Sequence, residues 1–145
     1  MIAIQSNGMA PKVLVVDDEE DIVAYLVAVL QDNGFRALGE SDAAAVLETI
    51  RKERPDLILL DIMMPGQSGL SLYRAIRKDP DTAEIPVFII SGYSRDKDFA
   101  VMAGGLEAQV ARLPDGYLEK PISIPMLLQD LHELFDKRRN GSSCE

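Results

Sequence analysis

The sequence predicts an α/β fold, a doubly wound parallel sheet of five strands with helices on both faces. Three observations carry this. Five apolar, strand-like runs alternate with five helical patterns, the order that builds a parallel sheet. The strongest runs are continuously apolar, as strands covered on both faces must be. Polar and charged residues stand directly behind those runs, where open α/β sheets bind their ligands.

Lys12-Val-Leu-Val-Val16 is the first strand, and it runs into acids. Ile22, Tyr25, Leu26, Val29 and Leu30 recur at helical spacing, and Asn33-Gly34 ends that helix. Phe35 to Glu40 is the second, less apolar strand. Ser41-Asp42 caps a helix bearing Val46, Leu47 and Ile50 that ends before Pro55. Asp56-Leu-Ile-Leu-Leu60 is the third strand. Leu70 to Lys78 is a helix with Leu72, Tyr73 and Ile76 inward, closed by Asp79-Pro80. Ile85-Pro-Val-Phe-Ile-Ile90 is the fourth strand, and Asp96 to Leu113 is largely helical around Gly104-Gly105. Gly116-Tyr-Leu-Glu119 is the fifth strand. Ile124 to Arg138 is an amphipathic helix whose stripe is Leu127, Leu128, Leu131, Leu134 and Phe135. Residues 1–11 read as a flexible leader, 12–139 as one domain and 140–145 as a polar tail.

Composition narrows the function. The chain has 145 residues, 47% hydrophobic and 27% charged, enough for one core without a disulfide or metal staple. Its net charge of −9 argues against direct nucleic-acid contact, which needs basic surface facing phosphate. No apolar run approaches the ~18 residues of a membrane span, and Met1 to Lys12 lacks the basic and apolar regions of a signal peptide. With one cysteine (Cys144) and one histidine (His132), thiolate or imidazole metal clusters are excluded. A cytoplasmic location follows as the expectation.

The chemistry gathers at the strand ends. Asp17, Asp18 and Glu19 follow the first strand, Asp61 the third, Ser91 and Gly92 the fourth, and Lys120-Pro121 the fifth. Taken singly, each has a plain structural reading: Asp17, Asp18 and Asp61 as turn or cap residues, Ser91 as a cap, Lys120 as a solvated lysine, Tyr117 as an ordinary aromatic. Taken together, three carboxylates converging on one sheet edge repel one another unless a cation compensates. Lys120 is one compensator and a divalent cation the other. An all-oxygen donor set with room for water suits Mg²⁺. A carboxylate, Mg²⁺ and a lysine make a phosphoryl-transfer site. Glu19, Glu20 and Asp21 read as solvated or capping acids, and His132 as a surface residue.

Four landmarks carry a family resemblance: Val15-Val-Asp-Asp-Glu19, Asp56-Leu-Ile-Leu-Leu-Asp-Ile-Met-Met-Pro-Gly66, Ile89-Ile-Ser-Gly92 and Tyr117-Leu-Glu-Lys-Pro121. In this order, each at a strand end, they resemble the receiver domain of two-component response regulators, CheY-like proteins, from Lys12 to about Lys137. The resemblance implies a flavodoxin-like strand order, 2-1-3-4-5. It implies that Asp61 accepts a phosphoryl group from a phosphohistidine on a sensor histidine kinase or a histidine phosphotransfer protein. Asp18 would bind Mg²⁺ directly and Asp17 largely through water, with Asp61 and the backbone carbonyl of Met63 completing the protein ligands. Lys120 would pair with Asp61 and the phosphoryl group, next to a cis Lys120-Pro121 bond. Ser91 and Tyr117 would form the switch, acting on the face made by the fourth helix, fifth strand and fifth helix. The output would be a downstream protein, an attached domain or a second copy of the chain. Such a domain catalyses only its own phosphotransfer and dephosphorylation and is otherwise no enzyme.

Other readings remain. A Mg-dependent phosphatase of the haloacid dehalogenase type also uses an aspartate nucleophile, but its second aspartate should stand where Met63 is. A flavodoxin would need a phosphate-cradling first loop, and Asp17-Asp18-Glu19 repels phosphate. A receiver module cut from a hybrid histidine kinase fits equally well.

Two departures from the family pattern stand out. Ser91 and Lys120 are 29 positions apart, about two turns of helix, at ~3.6 residues per turn, more than in most receivers. The surplus falls in 101–114, where Leu106, Val110 and Leu113 keep helical periodicity, and it is expected to alter dimerisation or partner contact. Met63 is apolar where many relatives carry a polar residue that orients the hydrolytic water, so slow to moderate self-dephosphorylation is expected. Met63→Asn should lose its phosphoryl group faster than the parent in a decay assay, and equal decay would refute that role.

Overall fold

The computed structural model describes residues 10–62, 69–91 and 114–144. Within them the order is β1 (Lys12–Val16), α1 (Glu20–Asp32), β2 (Arg36–Glu40), a 3-10 turn (Ala43–Ala45), α2 (Val46–Glu53), β3 (Leu57–Asp61), α3 (Gly69–Lys78), β4 (Val87–Ser91), β5 (Gly116–Glu119) and α4 (Ile124–Cys144). The strands form one parallel sheet in the order β2-β1-β3-β4-β5. The predicted fold class and strand order are those observed.

Alternation along the strands divides the core. Leu14, Val16, Ile58, Leu60, Val87 and Ile89 pack on one face with Val46 and Ile50 of α2 and Leu72, Tyr73 and Ile76 of α3. Val13, Val15, Leu57, Leu59, Phe88, Ile90 and Leu118 pack on the other with Leu26 and Leu30 of α1 and Leu127, Leu131 and Phe135 of α4. Full burial of each such side chain contributes about 1.5–3 kcal/mol. It is this two-sided burial that the continuous apolar runs encode.

The element ends have local causes. Glu20 and Asp21 stand in the first turn of α1, where the helix dipole favours acids. Gly34 ends the α1 connection at φ 88°, the left-handed region that glycine enters without cost. The Asp42 carboxylate accepts the Ala44 N–H at 3.0 Å, as expected of a cap, but it caps the 3-10 turn, and α2 starts only at Val46. Asp56 lies outside β3. Its carboxylate accepts the Lys12 N–H and its own N–H donates to the Lys12 carbonyl, both at 2.7 Å, which ties β3 to the start of β1.

Three expectations need correction. Ala10 and Pro11 are not free leader: their carbonyls accept from the Arg36 Nε and N–H at 2.8 and 2.9 Å, and Pro11 is buried. The last helix does not end at Arg138 but continues to Cys144, through the expected tail. A nucleated helix gains a hydrogen bond per added residue, so Asn140-Gly141 weakens it without stopping it. His132 is half-buried, its ring centroid 5.5 Å from that of Phe35. The expected fourth helix, 96–113, and Met1 to Met9 lie outside the described residues. Among the described residues no helix is long and apolar enough to cross a membrane.

At the amino end of the strands, Arg77 acts as a clasp. Its side chain is 3% exposed. It donates to the Tyr73 hydroxyl at 2.9 Å and to the carbonyls of Ala83 and Ile85 at 2.9 and 2.7 Å. It also reaches Asp115 at 3.4 Å, whose carboxylate accepts the Val87 N–H at 2.9 Å. One guanidinium thus links α3, β4 and the start of β5. Arg77→Met should lower the urea midpoint by an amount corresponding to about 2–4 kcal/mol at an unchanged m-value, since it removes a nearly buried guanidinium with its several bonds to part-buried acceptors. A loss below about 0.5 kcal/mol, typical of surface changes, would show that the clasp carries no weight.

Candidate functional site

The site follows from pleat and register. Val16 of β1 pairs with Leu60 of β3, so Asp17 and Asp61 arrive side by side one residue later. Both share the strand phase of Val15 and Leu59, and Lys120 shares that of Leu118. All three therefore emerge toward the α1 and α4 side of the sheet at its carboxyl end.

Asp17 and Asp61 are buried while Asp18 is exposed, and one carboxylate oxygen from each lies within 4.8 Å of the others. The Lys120 Nζ stands 3.1 Å from Asp17 Oδ2 and 3.5 Å from Asp61 Oδ2. The structure thus brings Asp17, Asp18, Asp61 and Lys120 together as the sequence predicts. Burial pushes the Lys120 pKa down, but its bond to Asp17 and the charges of Asp61 and Asp17 outweigh this and hold it above the usual lysine value. A raised cation of this kind adds stability in full below the ordinary lysine pKa, lost only as pH rises through the folded value. Near neutrality the ammonium is constant.

Glu19, by sequence a solvated or capping acid, also shapes the site. Its N–H donates to Asp17 Oδ1 at 3.0 Å, fixing that carboxylate, and its own carboxylate reaches Lys120 at 3.9 Å while remaining exposed. The signal was present, since aspartate commonly accepts from the amide two residues on. The Asp17 N–H donates to the Glu40 carbonyl at 3.4 Å, fastening the loop to β2. Tyr117 is partly buried against the core face of α2 and α3. The Lys120-Pro121 peptide is cis, as the resemblance implies. Ser91 closes β4 opposite Glu119, but its side chain lies outside the described residues, as does Met63.

Three carboxylate oxygens at this spacing form a hard, all-oxygen donor set that fits Mg²⁺ better than softer metals. One ammonium among them leaves net negative charge for a cation to neutralise. The arrangement suits binding and transfer of a phosphoryl group.

A parallel 2-1-3-4-5 sheet with an acidic pocket and a lysine at its carboxyl edge defines a receiver module. The comparisons agree: the family described as "Response regulator receiver domain" matches residues 13–132, and the chain belongs to it. It is a signalling domain of two-component systems. The chain is 37% identical over 135 residues, 93% of its length, to the transcriptional regulatory protein PrrA of Mycobacterium tuberculosis, covering 53% of that protein. It is 35% identical over 79% of its length to the phosphate regulon regulator PhoB of Klebsiella pneumoniae, covering 47% of it. The chain thus spans about half the length of these relatives. Protein PilH of Pseudomonas aeruginosa is 32% identical over 83% of the chain and 94% of its own length. Among solved structures, the receiver domain of the Francisella response regulator 1452 superposes with a TM-score of 0.72 at 30% identity, covering 88% of this chain and 98% of that one.

The crowding of like charges gives a stability prediction. Without divalent cation at low salt, Asp61→Asn should raise the urea midpoint by an amount corresponding to about 1 kcal/mol, through relief of repulsion with Asp17 and Asp18. The gain should shrink as salt is added. A destabilised variant would show that Asp61 is held by attraction to Lys120 more than it is opposed by its neighbours.

Proposed function

We propose that this receiver accepts a phosphoryl group on Asp61 from a phosphohistidine of a sensor histidine kinase or a histidine phosphotransfer protein. The observation that carries the reading is the placement of Lys120 between Asp17 and Asp61, with Asp18 in reach of both carboxylates. Asp17, Asp18 and Asp61 would hold Mg²⁺, with the Met63 carbonyl as the remaining expected ligand. When bound, Mg²⁺ supplies positive charge to the phosphoryl oxygens.

The chain's own residues do the rest. An Asp61 oxygen bonds to phosphorus while the bond from phosphorus to the donor imidazole nitrogen breaks, and that nitrogen keeps the electron pair. Burial of Asp61 leaves few waters to compete for the phosphorus. Lys120 faces the charge that gathers on the phosphoryl oxygens. The Glu19 amide holds Asp17 so that its other oxygen meets Lys120.

The readout proposed is the pairing of Ser91 with Tyr117. The Ser91 hydroxyl turns toward the phosphorylated Asp61, and Tyr117 follows inward, altering the face around β5 and α4 for a downstream protein, an attached domain or a second copy. The longer 101–114 segment would modify that contact. The transcriptional roles in the relatives' names belong to proteins about twice this length. The setting proposed is cytoplasmic, and the domain is no enzyme beyond its own phosphotransfer and dephosphorylation. The phosphatase alternative is disfavoured because Met63 stands where a second aspartate is required.

Incubation with Mg²⁺ and acetyl phosphate should add one phosphoryl group by intact mass, and no gain should occur with excess chelator or in Asp61→Asn. A gain that persists in Asp61→Asn, or none in the parent, would contradict the proposal.

A further inference from the structure

Gly69 opens α3 and is buried. A Cβ built there would lie 2.2 Å from the Ile62 Cα, 2.6 Å from the Asp61 carbonyl oxygen and 2.9 Å from the Ile62 carbonyl carbon. All three are backbone atoms, so no rotamer change relieves the contact. At Gly39 and Gly116 an added Cβ would instead meet side-chain atoms, those of Val23 and Phe88. Close approach of the β3 backbone is by itself enough to require glycine here.

We infer that Gly69 is a positioning residue for Asp61: its missing side chain lets the first turn of α3 abut the end of β3 and hold the backbone that carries the acceptor carboxylate. Its N–H donates to the Ile62 carbonyl at 3.1 Å, and the Ile62 N–H donates to the Ile90 carbonyl at 3.2 Å. The 61–62 backbone is therefore fixed by β4 on one side and by α3 on the other. Any methyl at 69 must push α3 and β3 apart, and the Asp61 oxygens move with their backbone relative to Lys120, Asp17 and Asp18. This inference deepens the phosphoacceptor reading and rests on it.

The test compares Gly69→Ala with Leu30→Ala, which empties part of the core near the far end of α1 and so destabilises the fold away from the site. Both are measured at a temperature where circular dichroism shows them folded. Gly69→Ala should weaken Mg²⁺ binding by calorimetric titration roughly tenfold or more, as loss of a supporting contact does. It should also slow acetyl phosphate labelling, while Leu30→Ala keeps parental values for both. Parental Mg²⁺ affinity in Gly69→Ala, or an equal loss in Leu30→Ala, would overturn the inference. A parent that takes up neither Mg²⁺ nor phosphoryl would instead overturn the underlying reading. If Gly69→Ala does not fold, amide exchange on the metal-free parent decides. The Gly69 and Ile62 amides should exchange as slowly as those in the middle of β3, and rapid exchange at either would refute the clamp.

Discussion

Three carboxylates are gathered against their mutual repulsion at one end of a parallel sheet, and the site depends on how that repulsion is held. Lys120 stands close to Asp17 and Asp61, and the Glu19 amide fixes the remaining Asp17 oxygen. This compensation is partial by construction. A fully neutralised pocket would have no use for a cation, and an uncompensated one would push the strand ends apart. The local excess of negative charge and the all-oxygen donors suit the pocket to a hard cation.

The rest of the molecule supplies the rigidity that this needs. The two cores bury β1 and β3 on both faces, so the strand ends cannot yield to the repulsion by drifting apart. At the opposite end of the sheet Arg77 fastens α3, β4 and the approach to β5, setting the register of the strand that leads to Lys120. Like charges thus gather at the carboxyl end of the strands, whereas hydrogen bonds of Arg77 and Asp115 tie the amino end together.

The layers and the acidic pocket were legible in the sequence because period and phase are local properties. Leu57-Ile-Leu-Leu60 announces a strand covered on both sides, and Asp17 and Asp61 each follow such an apolar run, while Lys120 follows the shorter and less buried Gly116–Glu119. What escaped depends on contacts between distant segments. Nothing around Arg77 shows that its guanidinium meets the 83–85 carbonyls and Asp115. Gly69 looks like any helix-start glycine until β3 is seen against it. The half-burial of His132 depends on Phe35, nearly a hundred positions away. Pro11 reads as leader because the partner of its carbonyl, the Arg36 N–H, lies on the distant β2. The overrun of α4 has another cause: Asn140-Gly141 weakens a helix that is already nucleated without stopping it.

On the function proposed, the phosphoryl group is taken by the buried Asp61 and by none of its neighbours. An acyl phosphate is reduced by borohydride to the alcohol, so an aspartyl phosphate leaves homoserine at its own position. Labelling in the presence of Mg²⁺, reduction and peptide mass spectrometry should find homoserine at residue 61 alone. Homoserine at residue 17 or 18, or phosphate retained on His132, would rule out Asp61 as the sole acceptor.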